Sequence, residues 1–163
     1  MAKHKEEKTN VMRVLEQQGI LYEAHAYPHE EGVAVDGVTV ARSLGQDPEQ
    51  VFKTLVARGA SNDIYVFAIP VAENLDLKKA AKAVGEKSIQ LTAVKELLGL
   101  TGYVRGGCSP IGMKKQYPTV FHETAEILDT IIVSAGKIGL QVELQPDALI
   151  GLVGASLADI TVA

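Results

Sequence analysis

Hydrophobic and polar positions change period several times along the chain, and each change marks an element. In residues 9–18, TNVMRVLEQQ, Val11, Val14, Leu15 and Gln18 share one helical face, with Thr9 or Asn10 as N-cap and Gly19 as the stop. LYEAHAY (21–27) alternates as a half-buried strand does and ends at Pro28. VTVARSL (38–44), followed by Gly45, predicts a short helix with its cap. QVFKTLVARG, a polar turn at 60–63 and IYVFAIP predict a β-hairpin. Asp76 starts a helix, LKKAAKAV, closed by Gly85, and TAVKELLGL predicts a further short helix. From Gly102 the pattern turns to strands and glycine-rich turns: YVRGGCSPIGMKK, then TVFH, then DTIIVSAGKIGLQVEL. Pro146 opens a last helix, PDALIGLVG, and LADITV predicts a closing strand. Helices and strands interleave, but tight turns join consecutive strands more often than crossover helices do. That pattern favours an α+β fold with a mixed, mainly antiparallel sheet over a doubly wound parallel one.

Composition narrows the class. The 163 residues suit one domain, 1–163, and show no repeat or linker. With 47% apolar and 22% charged residues the chain is neither disordered nor fibrous. No apolar run approaches the roughly 20 residues of a membrane helix, and the charged stretch 1–7 lacks the apolar core of a signal peptide. Cys108 is the sole cysteine, which excludes an internal disulfide and favours a reducing, cytoplasmic compartment. The net charge of −4 argues against strong unaided RNA binding, because phosphate contacts supply most of that affinity. It leaves room for a site that holds one end of an RNA while a partner holds the rest. Neither DNA nor a membrane is an expected partner.

Three segments offer chemistry. Alternation places Val51, Lys53 and Leu55 on one face of a strand and Phe52, Thr54 and Val56 on the other, both mostly apolar. Lys53 is therefore expected in the wall of a barrel or cleft, where an ammonium is costly unless it meets an anion, a carboxylate or water. One opposite charge at about 4 Å is worth about 4 kcal/mol at an effective dielectric near 20. The alternative is an edge-strand lysine that discourages aggregation. RGGCSPIG (105–112) carries paired glycines that let amides approach a ligand closely, as an oxyanion site requires; a bulged turn is the plainer reading. Gly107 to Gly112 has phosphate-loop spacing. Met113 stands at the required lysine, no Ser/Thr follows Lys114, and Pro110 removes an amide, so nucleotide hydrolysis is rejected. In VSAGKIG (133–139) Ser134 enters a tight turn at a cleft rim but lacks the frame of a nucleophile elbow; ordinary turn chemistry also explains it.

The remaining candidates are weaker. His25 and His29 are separated by about 13 Å if extended, too far for one metal ion. His122 has no evident partner, and no cysteine or histidine cluster marks a zinc site, so no metal or other cofactor is expected. Cys108 reads as a small buried filler.

Taken together and in order, KTNVMRVLEQQGI, Tyr27-Pro28-His29, VFKTLV, NLDLKKAAKAVG, TGYVRGGCSPIGMKK and IIVSAGKIGLQVEL resemble the YbaK/EbsC family. These are bacterial Cys-tRNA(Pro) deacylases related to the editing domain inserted in prolyl-tRNA synthetase. The resemblance covers nearly the whole chain and implies a mixed-sheet barrel flanked by helices. It implies hydrolysis of the ester joining cysteine to tRNA(Pro), in trans, beside prolyl-tRNA synthetase. It places the essential lysine on Lys53 and the glycine-pair backbone on Gly106 and Gly107, together the catalytic set. Tyr27, Thr54 and Ser134 fall on substrate-binding positions. The chain departs from the pattern at Cys108, where relatives are more often aliphatic, and near Asp36, where some carry an aromatic residue. No Ser–His–Asp or metal set is visible, so the scheme expected is attack by the substrate's own thiol, with Lys53 anchoring the terminal phosphate or ribose. Open alternatives are an editing enzyme for another amino acid such as alanine, a non-catalytic aminoacyl-tRNA or synthetase-binding module, and a serine hydrolase using Ser134.

Overall fold

A computed structural model describes residues 8–162; the stretch 1–7, which carried the signal-peptide reading, lies outside the described residues. The described residues form two sheets and five α-helices in the order α1 (Asn10–Gln17), β1 (Glu23–Ala26), α2 (Gly37–Ser43), β2 (Phe52–Gly59), β3 (Ile64–Pro70), α3 (Leu77–Val84), β4 (Ile89–Leu91), α4 (Val94–Thr101), β5 (Thr119–His122), β6 (Ile131–Ser134), β7 (Leu140–Leu144), α5 (Pro146–Val153) and β8 (Ser156–Ala158). A 3₁₀ turn, Glu123–Ile127, follows β5.

Local chemistry sets most of these boundaries. Thr9 caps α1 by accepting from the Met12 amide, and Asp76 caps α3 by accepting from the Lys78 and Lys79 amides at 3.0 Å. Gly85 closes α3 in the left-handed conformation at φ 75°. Asp36 caps α2 through the Thr39 amide, so that helix begins before the expected Val38.

The five-stranded sheet runs β4-β2-β3-β5-β8 and the three-stranded sheet β1-β7-β6. Pairing is antiparallel except where β5 joins β3 and β8. The α+β class and the mixed, mainly antiparallel sheet are as expected. The barrel is not closed. Among the described residues the two sheets meet edge to edge only at the bridge Val51↔Ile132, and just beyond it the outer edge of β2 has no partner strand until β4.

β3 has apolar cover on both faces. Val66 and Ala68 pack with Val11, Leu15, Phe121, Val133 and Val142 between the sheets, while Phe67 and Ile69 pack against Ala80 of α3 and Ile160. This accounts for its nearly continuous hydrophobic run. A third cluster, Ala41, Val51, Val71 and Ile132, seats α2 over the seam between the sheets.

Several expectations are corrected. The 103–115 stretch forms no strand: Tyr103 and Ile111 are buried, but glycine turns and Pro110 prevent a ladder. β1 is a mostly exposed edge strand of four residues, and Leu21 stays 90% exposed. Met12 rather than Gln18 completes the buried face of α1. β4 and the 3₁₀ turn went unread, and the last strand starts at Ser156 and ends at Ala158, leaving Thr161 only a bridge to Leu75.

Candidate active site

Backbone pairing of β2 creates the site. The Val71 amide donates to the Val51 carbonyl at 2.8 Å and the Gly59 amide to the Asp63 carbonyl at 2.9 Å, so the odd-numbered residues of β2 bond to β3. Phe52, Thr54 and Val56 therefore turn their amides and carbonyls to the opposite edge. On that edge the Ile132 amide reaches the Gln50 carbonyl at 3.0 Å and the Thr92 amide reaches the Val56 carbonyl at 3.0 Å. Between these two contacts, Phe52 and Thr54 face a gap between the sheets.

A cavity of about 120 Å³ occupies that gap. Lys53 and Thr54 of β2, Gly106 and Cys108 of the glycine loop, Ser134 at the end of β6 and Tyr27 beyond β1 all line it. Val40, Val51, Phe52, Val71, Val133 and Leu140 make the rest mostly apolar. Five of the six residues singled out in the sequence thus converge. Gly107 does not line the cavity, and its amide already donates to the Val104 carbonyl at 2.9 Å. A Cβ at Gly107 would lie 3.0 Å from the Ile138 nitrogen and 3.2 Å from the Lys137 backbone. Its structural part is to let the two loops touch.

Lys53 is half-buried, and among the described residues its ammonium makes no hydrogen bond or ion pair. Burial pulls its pKa below the ordinary lysine value, and the Asp36 and Glu73 carboxylates only partly oppose that. An anion entering the cavity would meet an uncommitted cation. Thr54 carries a buried Oγ1 with no hydrogen-bond partner among the described residues. The Ser134 hydroxyl oxygen accepts from the Gly136 amide at 3.0 Å, so the expected turn chemistry is present, and its proton is left to donate. The Tyr27 amide donates to the Gly139 carbonyl at 2.9 Å, which ties the ring to the β6–β7 turn. Burial pushes the Cys108 thiol up to about 12, against a smaller opposing contribution from Thr101. No histidine, aspartate or glutamate is among the residues lining the cavity, so none there forms an acid–base pair with Ser134 or Cys108.

Sequence reasoning missed Gln141, Gly37 and Val40. Gln141 is only 5% exposed, sits directly opposite Ser134 in the β6–β7 register, and accepts from Gln46 Nε2 at 2.9 Å. Its signal was a polar residue at an inward position of a hairpin, readable only once the register is known. Gly37 and Val40 of α2 form the wall near Asp36, where a Cβ on Gly37 would lie 2.6 Å from Val71 Cγ1.

One group outside the cavity has metal-ligand character: Glu23, His25 and Glu143, whose ligand atoms all lie within 4.8 Å of one another. Protein donors already engage Glu143. His25 Nε2 lies 2.7 Å from one of its oxygens, while Gln50 and Thr130 bond to the other. Burial opposes ionisation of Glu143, but these bonds prevail and hold its carboxyl below the usual range.

Likeness to known proteins bears on what this cavity does. Residues 32–152, which contain all of these site residues except Tyr27, match the aminoacyl-tRNA editing domain. The chain belongs to the aminoacyl-tRNA editing family. Its likeness to one curated member, a candidate Cys-tRNA(Pro)/Cys-tRNA(Cys) deacylase, EbsC, of Enterococcus faecalis, is 46% identity over 162 residues, 99% of this chain and 98% of that one. In fold it matches the crystal structure of a candidate trans-editing enzyme for prolyl tRNA synthetase, with a TM-score of 0.81 and 24% identity over 96% of this chain and all of that one. A scaffold used for epitope backbone grafting by computational design gives a TM-score of 0.82 at 25% identity, covering 94% and 95% of the two chains.

Proposed function

We propose that this editing-family chain deacylates Cys-tRNA(Pro), and that the cavity at the gap in β2 receives the cysteinyl group. The observation that carries the proposal is the uncommitted ammonium of Lys53 in the wall of a small apolar cavity that offers no acid–base pair of its own. A cavity of about 120 Å³ is slightly smaller than the 150 Å³ that suffices for benzene, a size suited to a small side chain. The Enterococcus relative, alike over nearly its full length, supports the substrate class.

A second, hydrolytic site answers a physical problem. Cysteine and proline are close in size, and one binding pocket separates such near-isosteres by only about 10–200-fold. With no protein nucleophile poised, the substrate's thiol attacks its own ester carbonyl. A carbon–sulfur bond forms, the carbon–oxygen bond to the ribose breaks, and the thiol proton passes to the departing ribose hydroxyl. Water then opens the resulting thiolactone to cysteine. In this scheme Lys53 anchors the ribose or terminal phosphate. Gly106 presents backbone to the oxyanion, and Gly107 lets that loop sit against residues 137–138. Tyr27, Thr54 and Ser134 bound the aminoacyl group. Action in trans beside prolyl-tRNA synthetase completes the proposal, with the larger partner selecting the tRNA.

Lys53→Ala tests the assignment. Deacylation of Cys-tRNA(Pro) is expected to fall on the order of 100-fold or more, while circular dichroism and thermal melting stay as in the parent. Full activity in the variant would remove Lys53 from the mechanism, and retained tRNA or synthetase binding by a parent without turnover would favour a docking module.

A further inference from the structure

Strand register sets two like charges against each other at the edge of the smaller sheet. β1 pairs with β7 so that Glu23 stands directly opposite Glu143, a placement that is destabilising for two carboxylates unless a cation joins them. Among the described residues neither is paired with a lysine or an arginine. His25, two residues along the same face of β1, lies diagonally across from Glu143 and brings Nε2 within 2.7 Å of it. An imidazole and two carboxylates thus gather on one exposed edge, their ligand atoms all within 4.8 Å of one another.

We infer that Glu23, His25 and Glu143 form a zinc-binding site that clips β1 to β7. The inference goes beyond the deacylase reading and does not depend on it. Zinc takes nitrogen and oxygen ligands at about 2.0–2.2 Å, whereas calcium prefers about six to eight oxygens. Ligand atoms around such an ion stand about 3.4 Å apart, so the exposed Glu23 has little distance to swing. Glu143 is already aimed: Gln50 Nε2 at 3.2 Å and the Thr130 hydroxyl donate to Oε2, which leaves Oε1 for the ion. The ion takes the place of the proton between Oε1 and His25 Nε2. A neutral ring then carries its proton on Nδ1, and an imidazolium gives one up to water. A cavity of about 660 Å³, bounded by His25, Gln46, Asp47, Gln50 and Glu143, supplies an entry path and room for a water as fourth ligand. Tyr27 follows β1 directly, so the clip fastens the short edge strand that carries this residue to the first cavity.

Isothermal titration of the untagged, chelator-treated full chain with zinc chloride tests the site, with thermal melting alongside. The parent is expected to take up one zinc ion per chain with micromolar or tighter affinity and to melt at a higher temperature with zinc than without. Glu23 takes no part in the His25–Glu143 hydrogen bond, so Glu23→Ala separates a metal site from a simple ion pair. Without metal it should melt as the parent does, yet bind zinc at least about tenfold more weakly. His25→Ala should lose zinc binding to a similar degree. A His25–Glu143 ion pair alone would give no zinc uptake. Zinc that fails to bind, fails to raise the melting temperature, or binds both variants as tightly as the parent would overturn the site. None of these measurements involves tRNA, so the deacylase reading stands or falls separately, on whether the parent hydrolyses Cys-tRNA(Pro).

Discussion

Two side chains in this cavity have opposite fates under the same burial. Desolvation lowers the pKa of Lys53 by disfavouring its ammonium and raises that of Cys108 by disfavouring its thiolate. Lys53 becomes a cation that gains from meeting an anion, while Cys108 becomes inert. With a pKa of about 12, only about one thiol in ten thousand is ionised at pH 8. Iodoacetamide is therefore expected to label native Cys108 far more slowly than the unfolded chain, with the native rate rising about tenfold per pH unit toward pH 11 as thiolate accumulates. Equal labelling of native and unfolded protein at pH 8 would make Cys108 a reactive nucleophile instead. Lys53 was legible in sequence because alternation strands a charge between Val51 and Leu55. Gln141 was not, because its inward placement depends on the β6–β7 pairing register.

At the scale of elements, legibility followed local chemistry. α3 reads directly from Asp76 and Gly85, whose capping acts within a few residues, and the β2–β3 hairpin reads from its polar turn. β4 is three residues long and owes its conformation to pairing with β2, which no local signal announces. The glycine loop misled for a related reason. Its buried Tyr103 and Ile111 imitate strand residues, yet the Tyr103 hydroxyl donates to the Ile111 carbonyl and folds the segment on itself. That loop must also touch residues 137–138. Gly107→Ala would push a methyl to 3.0 Å from the Ile138 nitrogen and should destabilise the fold by about 1–3 kcal/mol. Gly106→Ala adds a positive φ of 87° and a 2.7 Å approach to Ala34 Cβ. Thermal unfolding checks both; unchanged melting in Gly107→Ala would mean that the two loops part without cost.

For the whole molecule, the unclosed barrel matters more than the number of its strands. Two sheets bridged only at Val51↔Ile132 leave a slot, and the slot collects Lys53, Thr54, Gly106, Tyr27 and Ser134 from segments distant in sequence. The α+β class was readable from the alternation of elements. The slot itself was not, since it depends on where strand pairing stops. A chain of net charge −4 has little electrostatic means to grip a whole tRNA, which fits an enzyme that recognises the aminoacyl end and leaves the rest to a larger partner. The most direct measurement is deacylation by the purified parent chain of Cys-tRNA(Pro), Ser-tRNA(Pro) and Ala-tRNA(Pro) side by side. The account predicts rapid release of cysteine and slow release of serine and alanine, which fit the cavity but lack a thiol. Serine released as fast as cysteine, or cysteine not released at all, would contradict it.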